Sequence, residues 1–250
     1  MPGLEIHVIS CTQRPMQAPE KLSPNIWFHL LDVPKIGWLR TGYQGCIRAI
    51  RKKVRELGPD LVHGQGTERE CALGAVLSGF PSVVTIHGNM GQVARRLNAR
   101  IGSYLWCTAR LESYALRRAA AVFCNSSYTE QAVRKNNLRT WLVPNALRLA
   151  FFDTPLPPPP NPTVPTFLNV GSVLPYKRQR ELLEIAIRLS RKGHRFKVLF
   201  VGGTGARGSY ASGLRQRLAE PGISSFAEFA GEKNLPELIR HYDAGSALVH

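Results

Sequence analysis

The sequence is poor in acidic residues, in paired cysteines and in long apolar runs. Its 250 residues include 17 Asp and Glu against 33 Lys and Arg, a formal net charge of +16, and five scattered cysteines without a C-x-x-C pair. An odd number of distant cysteines argues against a disulfide framework or a zinc centre, and favours reduced thiols in the cytoplasm. No apolar run approaches the ~20 residues that a membrane-spanning helix needs. The N-terminus shows no signal-peptide pattern.

Strand-like and helix-like patterns alternate along the chain on both sides of a proline-rich segment, residues 154–165. Prolines in such a run do not fit a helix or a central strand, so this segment is predicted to be a stiff linker. Strands that alternate with helices indicate mainly parallel sheets. The sequence therefore predicts an α/β protein with one domain over residues 1–153 and a second over residues 166–250.

The clearest single unit lies just after the linker. Thr166–Val170 and Phe196–Val201 are short apolar runs typical of buried strands, and a helical periodicity separates them. Its apolar positions are Leu182, Ile185, Ala186 and Leu189. Gly193 follows where a left-handed helix cap belongs. This pattern predicts a strand–loop–helix–strand unit of a parallel sheet.

The turns that follow these two strands are predicted to bind an anion. Gly171, Ser172 and Lys177 lie in the first turn, and Gly202 and Gly203 end the second strand. Glycine lets the backbone approach a ligand, a helix start offers unpaired N–H groups, and lysine adds a positive charge. Open α/β sheets bind ligands at this carboxyl end of their strands.

The pattern Gly171–Arg178, followed by an amphipathic helix and a strand ending in V-G-G, resembles glycosyltransferase family 4. The resemblance implies two Rossmann-like domains of the GT-B type. It implies retaining sugar transfer from a nucleotide-diphospho-sugar to a glycan or lipid-linked acceptor, without a cofactor or metal ion. Ser172 stands where the family has a phosphate-binding arginine, and Arg178 or Arg180 could replace that cation. The chain also resembles only the middle of the family: the first strand with its Gly-rich loop, and the C-terminal part with its Glu-(seven residues)-Glu motif, are not found.

The resemblance extends to the first domain and implies further roles. Thr85-Ile86-His87 is similar to the family's T-x-H turn, whose histidine faces the transferred sugar, so His87 is the expected catalytic residue. Gln65 stands where the family has a second histidine, and His63 is interpreted as structural. In the second domain, Gly171, Ser172 and Lys177 would hold the diphosphate. The glycines at 202 and 203 would let the nucleotide approach.

The excess of positive charge indicates an anionic partner. The arginine-rich helical region 92–118, one long helix or two, could lie on an anionic membrane at its cytoplasmic face, with Tyr104 and Trp106 at the interface. The alternative is an ordinary solvated basic face. No RNA-recognition or helix-turn-helix motif is present, which speaks against a nucleic-acid partner.

Two other functions remain open from the sequence. With Ser172 in place of arginine, the chain could be a degenerate, non-catalytic nucleotide-sugar-binding protein. Residues 203–208 also spell G-x-G-x-x-G, the fingerprint of an NAD(P)-dependent oxidoreductase. Against this stand a complete strand–helix unit before the motif, no helical periodicity directly after Gly208, and an acidic residue, Glu228, inside a strand rather than at its end.

Overall fold

The computed structural model describes residues 3–153, 164–204 and 209–250. Its tertiary contacts divide the chain into two units, Met1–Ala146 and Leu147–His250. Most of the predicted linker, residues 154–163, lies outside the described residues, as do positions 205–208 of the G-x-G-x-x-G motif.

The first unit contains two sheets and five α-helices among its described residues. The strands are β1 (Ile6–Thr12), β2 (Lys21–Ser23), β3 (Ile26–Asp32), β4 (Val62–Gln65), β5 (Ser82–Ile86), β6 (Ala121–Cys124) and β7 (Thr140–Leu142). The helices are α1 (Gln44–Leu57), α2 (Glu70–Val76), α3 (Met90–Arg96), α4 (Tyr104–Arg118) and α5 (Ser127–Val133), with 3-10 turns at Lys35–Gly37 and Leu39–Thr41. The region 92–118 is thus two helices, one of the two alternatives that the sequence left open.

Parallel pairing dominates the first unit. One sheet has the order β1-β3-β2 and the other the order β4-β5-β6-β7, and only β2 runs antiparallel to its neighbour. Both sheets contribute to a single apolar core, which α1 enters with Ile47, Ile50 and Val54 at helical spacing. Val84 on β5 is completely buried at the centre of that core. Within the described residues, β1, β2, β4 and β7 each have one edge without a strand partner.

The described part of the second unit contains one four-stranded sheet. The strands are β8 (Thr166–Val170), β9 (Lys197–Val201), β10 (Ala227–Gly231) and β11 (Ala247–Leu248). The helices are α6 (Ala150–Asp153), α7 (Gln179–Arg191), α8 (Ser209–Leu218) and α9 (Leu235–Ala244), with a 3-10 turn at Pro175–Lys177. The order is β10-β9-β8-β11 and every pair is parallel. The predicted strand–loop–helix–strand unit is therefore present as β8, α7 and β9.

The buried face of α7 differs from the predicted one. Leu183, Ala186 and Ile187 pack against the sheet, whereas Ile185 is 55% exposed and Leu189 is 39% exposed. The apolar face of this helix is wider than the stripe that packs on the sheet, so its spacing could not tell which apolar residues face the core. The helix does end as expected, because Gly193 follows it with a φ of +86°.

Candidate functional site

Two glycine turns meet at the carboxyl edge of the sheet in the second unit. Gly202, with a φ of +152°, lies so close to the turn after β8 that a Cβ there would be 2.0 Å from the carbonyl oxygen of Gly171. The two turns are also joined by a hydrogen bond, in which Val173 N–H donates to the Gly203 carbonyl at 2.9 Å. Only glycine fits at position 202. Because glycine has no side chain, the backbone there is open to a ligand. The structure thus brings the two predicted turns together.

Lys177 lies at the same edge, at the end of the 3-10 turn that precedes α7. It is half-buried, and its Nζ lies 3.1 Å from Nε2 of His250, just beyond β11. An ammonium has only donors, so the imidazole nitrogen accepts this hydrogen bond. Among the described residues, no carboxylate pairs with Lys177, which leaves its charge available to an anion at the sheet edge. The sequence had not indicated His250 as a neighbour.

The two arginines that could replace the missing cation have different surroundings. Arg180 donates to the carbonyl oxygens of Ser209 at 2.8 Å and Tyr210 at 3.2 Å, and it stacks on the Tyr210 ring. Its guanidinium therefore attaches α8 to α7. Arg178 adopts a left-handed conformation with a φ of +56° at the start of α7, and its side chain is exposed. Of the two, Arg178 is the one left free by the described contacts to approach a ligand.

Gln179 is a residue of this edge that sequence reasoning missed. It is 1% exposed, and its Nε2 donates to the carbonyl oxygen of Ser172 at 3.1 Å. Its Oε1 is buried without a hydrogen-bond partner among the described residues. The side chain fixes the turn that carries Ser172. A polar residue in the first turn of a helix is usually solvated, so no sequence pattern pointed to this role.

In the first unit, His87 follows β5 at the carboxyl edge of its sheet. The side chain is exposed, and its Nε2 lies 3.1 Å from Oε1 of Gln65, the last residue of β4. A carbonyl oxygen only accepts, so His87 donates through Nε2 and its Nδ1 points elsewhere. The parallel pairing of β4 and β5 explains why the two residues meet. Gln65, which stands in place of a histidine, thus orients the expected catalytic residue.

His63 belongs to the same network. Its Nε2 lies 2.7 Å from the hydroxyl of Thr85 and 3.4 Å from Nε2 of Gln65, and its ring packs edge-on against Phe123. Burial, followed by repulsion from His87, lowers the pKa of His63 below its usual value. In neutral His63 the lone pair of Nε2 accepts a hydrogen bond from the Thr85 hydroxyl, and the Gln65 amide lies at a longer distance from the same nitrogen. His63 therefore supports Gln65, which in turn holds His87.

A buried carboxylate on α4 anchors the loop that carries His87. Glu112 is 3% exposed, and its two oxygens accept hydrogen bonds from the Thr67 hydroxyl at 2.6 Å and from the backbone N–H groups of Met90 and Gly91 at 3.1 and 3.0 Å. Burial raises the pKa of Glu112, and the three donors oppose that shift. Sequence reasoning missed this residue, because a lone glutamate in an amphipathic helix gives no sign of its partners.

The fingerprint at 203–208 is only partly described. One objection to the oxidoreductase interpretation was wrong: α8 begins at Ser209, directly after the motif, although its periodicity was too weak to predict this start. The other two objections stand. The unit β8–α7–β9 precedes the motif, and Glu228 is the second residue of β10 rather than at its end.

Neither a metal site nor a membrane-spanning helix is found among the described residues. No group of three or more His, Cys, Asp and Glu side chains is placed to hold a metal ion in that part of the chain. A search of the same residues finds no helix long and apolar enough to cross a membrane.

Comparison with known proteins agrees with this geometry. Among solved structures, the chain is similar to HepE of Anabaena in complex with UDP-glucose, at 13% identity and a TM-score of 0.64, over 98% of this chain and 73% of that one. It is also similar to the lipopolysaccharide outer core galactosyltransferase WaaB, at 14% identity and a TM-score of 0.59, over 98% of this chain and 73% of WaaB. A glycosyltransferase from Rickettsia africae matches at 15% identity and a TM-score of 0.61, over 89% and 59%. At such identities the likeness establishes the GT-B fold.

No curated protein sequence matches the chain. A family model described as Glycosyltransferase Family 4 matches residues 2–151, more than half of the chain. This match covers the first unit, in which His87 follows β5 and Glu112 lies on α4, and it agrees with the motif of the second unit. The chain belongs to glycosyltransferase family 4, a family of sugar-transferring enzymes.

Proposed function

We propose that this protein transfers a sugar from a nucleotide-diphospho-sugar to a glycan or lipid-linked acceptor, with retention of configuration and without a metal ion. The observation that carries the proposal is the joined pair of glycine turns in the second unit, with Lys177 at the same sheet edge. HepE, a structural relative, was solved in complex with UDP-glucose. The second unit would bind the donor and the first unit the acceptor.

The diphosphate would lie against the turns after β8 and β9. Gly171 and Gly202 leave the backbone open, Gly203 continues that surface, and Ser172 can donate its hydroxyl. Lys177 would pair with a phosphate oxygen, with His250 accepting another of its protons. When the bond between sugar and diphosphate breaks, negative charge grows on the departing phosphate. A fixed ammonium and oriented dipoles stabilise this charge more in the transition state than in the ground state.

His87 would act on the sugar. Its Nε2 is held by Gln65, so the ring orientation is set before a substrate binds, and Nδ1 remains for a sugar hydroxyl. The Glu112 anchor holds the start of α3 just beyond the His87 turn. Preorganisation of this kind lowers the barrier because the protein does not reorganise during the reaction.

The alternative, a non-catalytic nucleotide-sugar-binding protein, is supported by one observation. Ser172 stands where the family has an arginine, so one cation is missing from the expected phosphate site. The described contacts of Arg180 commit its guanidinium to the carbonyls of α8. Arg178 is then the remaining candidate for the second phosphate charge. The two functions differ in outcome: an enzyme transfers the sugar to an acceptor hydroxyl, or to water, and releases nucleoside diphosphate, whereas a binding protein holds the nucleotide sugar unchanged.

The test is calorimetry with uridine and guanosine diphosphates. A charge-assisted hydrogen bond contributes ~1.5–3 kcal/mol, so Lys177→Ala should weaken binding roughly ten- to a hundred-fold. Lys192→Ala, which removes the same charge at the opposite end of α7, serves as the control and should bind as the parent does. Ser172→Arg should tighten binding, and His87→Ala should leave nucleotide affinity nearly intact.

Equal affinity of the Lys177→Ala variant and the parent would remove the phosphate assignment. Chromatography that detects nucleoside diphosphate released from UDP- and GDP-sugars then distinguishes an enzyme from a binding protein. Activity that disappears in His87→Ala, with nucleotide affinity retained, is the result expected of an enzyme.

The protein is further proposed to work in the cytoplasm in peripheral contact with an anionic membrane. Five free cysteines suit a reducing compartment. The net charge of +16 favours a negatively charged surface. Co-sedimentation with anionic vesicles that raised salt reverses would support this contact, and equal binding to neutral vesicles would argue against it.

A further inference from the structure

The connection between α3 and α4 exposes three large apolar side chains. Leu97 is 64% exposed, Ile101 is 86% exposed and Tyr104 is 52% exposed. We call residues 97–104 the α3–α4 tip. Single exposed apolar residues are ordinary, but these three lie within eight positions of one connection, which makes it a candidate for contact with an apolar phase.

A groove of about 490 Å³ lies between α3 and α4 and continues into the tip. Its polar lining consists of Arg95, Asn98, Arg110 and Ser113, and no acidic residue lines it. Asn98 belongs to the tip itself, so groove and tip are continuous.

The charges of the groove are not neutralised by its neighbours. The Arg110 guanidinium stacks on Trp106 at 5.1 Å, a contact that leaves its N–H groups free to bind an anion. Neither Arg95 nor Arg110 forms an ion pair with the residues that the structure describes. Glu112 reaches the backbone of Gly91 at one end of the groove, but it is buried and its oxygens already accept three hydrogen bonds.

We propose that this groove binds the phosphate of an anionic lipid headgroup while Leu97, Ile101 and Tyr104 enter the interfacial layer of the bilayer. Two arginines, an amide and a hydroxyl match the acceptor oxygens of a phosphate. A lipid, rather than a free phosphate, is the occupant because the adjoining tip gains only from an apolar phase. The site rests on the membrane contact proposed above and names where that contact is made; it does not depend on sugar transfer.

Each half of the proposal has a matched pair of variants. The double variant Arg95→Gln/Arg110→Gln removes both positive charges from the groove. Its control, Arg117→Gln/Arg118→Gln, removes the same charge from the exposed C-terminal end of α4. Ile101→Ser removes apolar surface from the tip. Leu138→Ser does so at a site that is 85% exposed elsewhere in the first unit.

The measurement is co-sedimentation with phosphatidylcholine vesicles in which about one third of the lipid is phosphatidylglycerol, compared with phosphatidylcholine alone. Arginines near an anionic surface each contribute about fivefold in affinity, so the groove pair should weaken binding roughly ten- to thirty-fold. Its control should lose no more than about threefold, because those charges lie farther from the lipid. Ile101→Ser should weaken binding severalfold and Leu138→Ser should not.

Three outcomes would overturn the proposal. An equal loss in both arginine pairs would mean that only overall charge matters. No effect of Ile101→Ser would exclude insertion of the tip. Parental protein that binds inorganic phosphate in the groove but no anionic vesicle would identify a soluble ligand instead. Urea denaturation like that of the parent in every variant confirms that the first unit is folded. Retained affinity for uridine or guanosine diphosphate in the second unit separates failure here from failure of the donor-site proposal.

Discussion

The carboxyl edges of the sheets in the two units are formed by different chemical groups, backbone in one and side chains in the other. In the second unit the edge consists of backbone, with Gly202 against Gly171 and one lysine beside them. In the first unit it consists of side chains, a network from His63 through Gln65 to His87, beside a loop that the buried Glu112 anchors. Each glycine turn of the backbone edge can be recognised from its own few residues. Side-chain networks depend on partners that only folding brings near.

The first test of this comparison adds a side chain to the backbone edge of the second unit. Gly202→Ala would place a Cβ 2.0 Å from the Gly171 carbonyl oxygen, so the two turns must separate. We expect a loss of ~3 kcal/mol or more in the free energy of unfolding, together with loss of nucleoside-diphosphate binding. Urea denaturation and calorimetry measure the two effects.

The control is Gly222→Ala in the same unit. Gly222 has a φ of +84° but no atom within 4 Å of an added Cβ, so only backbone strain acts there. That strain should cost about 1 kcal/mol. If Gly202→Ala is no less stable than Gly222→Ala, the close contact of the turns does not limit the site.

The second way is to remove the anchor of the side-chain edge. Glu112→Gln replaces one acceptor oxygen by an NH2 group that faces backbone and hydroxyl donors. A buried donor without a partner should lower the free energy of unfolding by ~2–3 kcal/mol. It should also lower sugar-transfer rates more than donor affinity, since His87 loses its fixed loop.

Glu184→Gln is the matched change at an exposed ion pair with Arg217. Such pairs contribute at most about 1 kcal/mol, so this variant should be nearly as stable as the parent. Equal effects of the two substitutions, or a Glu112→Gln variant with normal turnover, would contradict the anchoring role.

The smallest expected effect is a pH dependence at His63. Its pKa is lowered in the folded state by burial and by His87, from a usual value of 6.5. As the pH falls below 6.5, the unfolded chain binds a proton that the folded protein resists, so stability decreases with falling pH. Above that pH both states are neutral and no cost remains.

His63→Gln removes this titration. The stability difference between parent and variant, measured by urea denaturation at several pH values, should shift against the parent below pH 6.5 and stay level above it. A difference that stays constant over the whole range would mean that His63 is not perturbed by its neighbours.

Prediction from the sequence succeeded where the determinants are local. The alternation of patterns identified β8, α7 and β9, and Gly193 marked the end of the helix correctly. It failed where packing decides: Ile185 and Leu189 were expected in the core, and α8 was not expected to begin at Ser209. The partners of Gln179 could not be inferred either, because its carbonyl contact depends on a turn whose shape is tertiary.

By itself, the sequence determined the parallel α/β architecture, the family resemblance and the glycine turns, and it pointed to Lys177 and His87 as the candidate site residues. These follow from periodicity, glycine conformation and charge, which act over a few neighbouring residues. Only the tertiary structure showed that β3 pairs with β1 across two loops, that Arg180 is committed to α8, and that Glu112 reaches a loop 21 residues away in the chain. The physical reason is that a hydrogen bond or a buried contact is decided by distance in space, which helix crossings and strand order set and which sequence spacing does not contain.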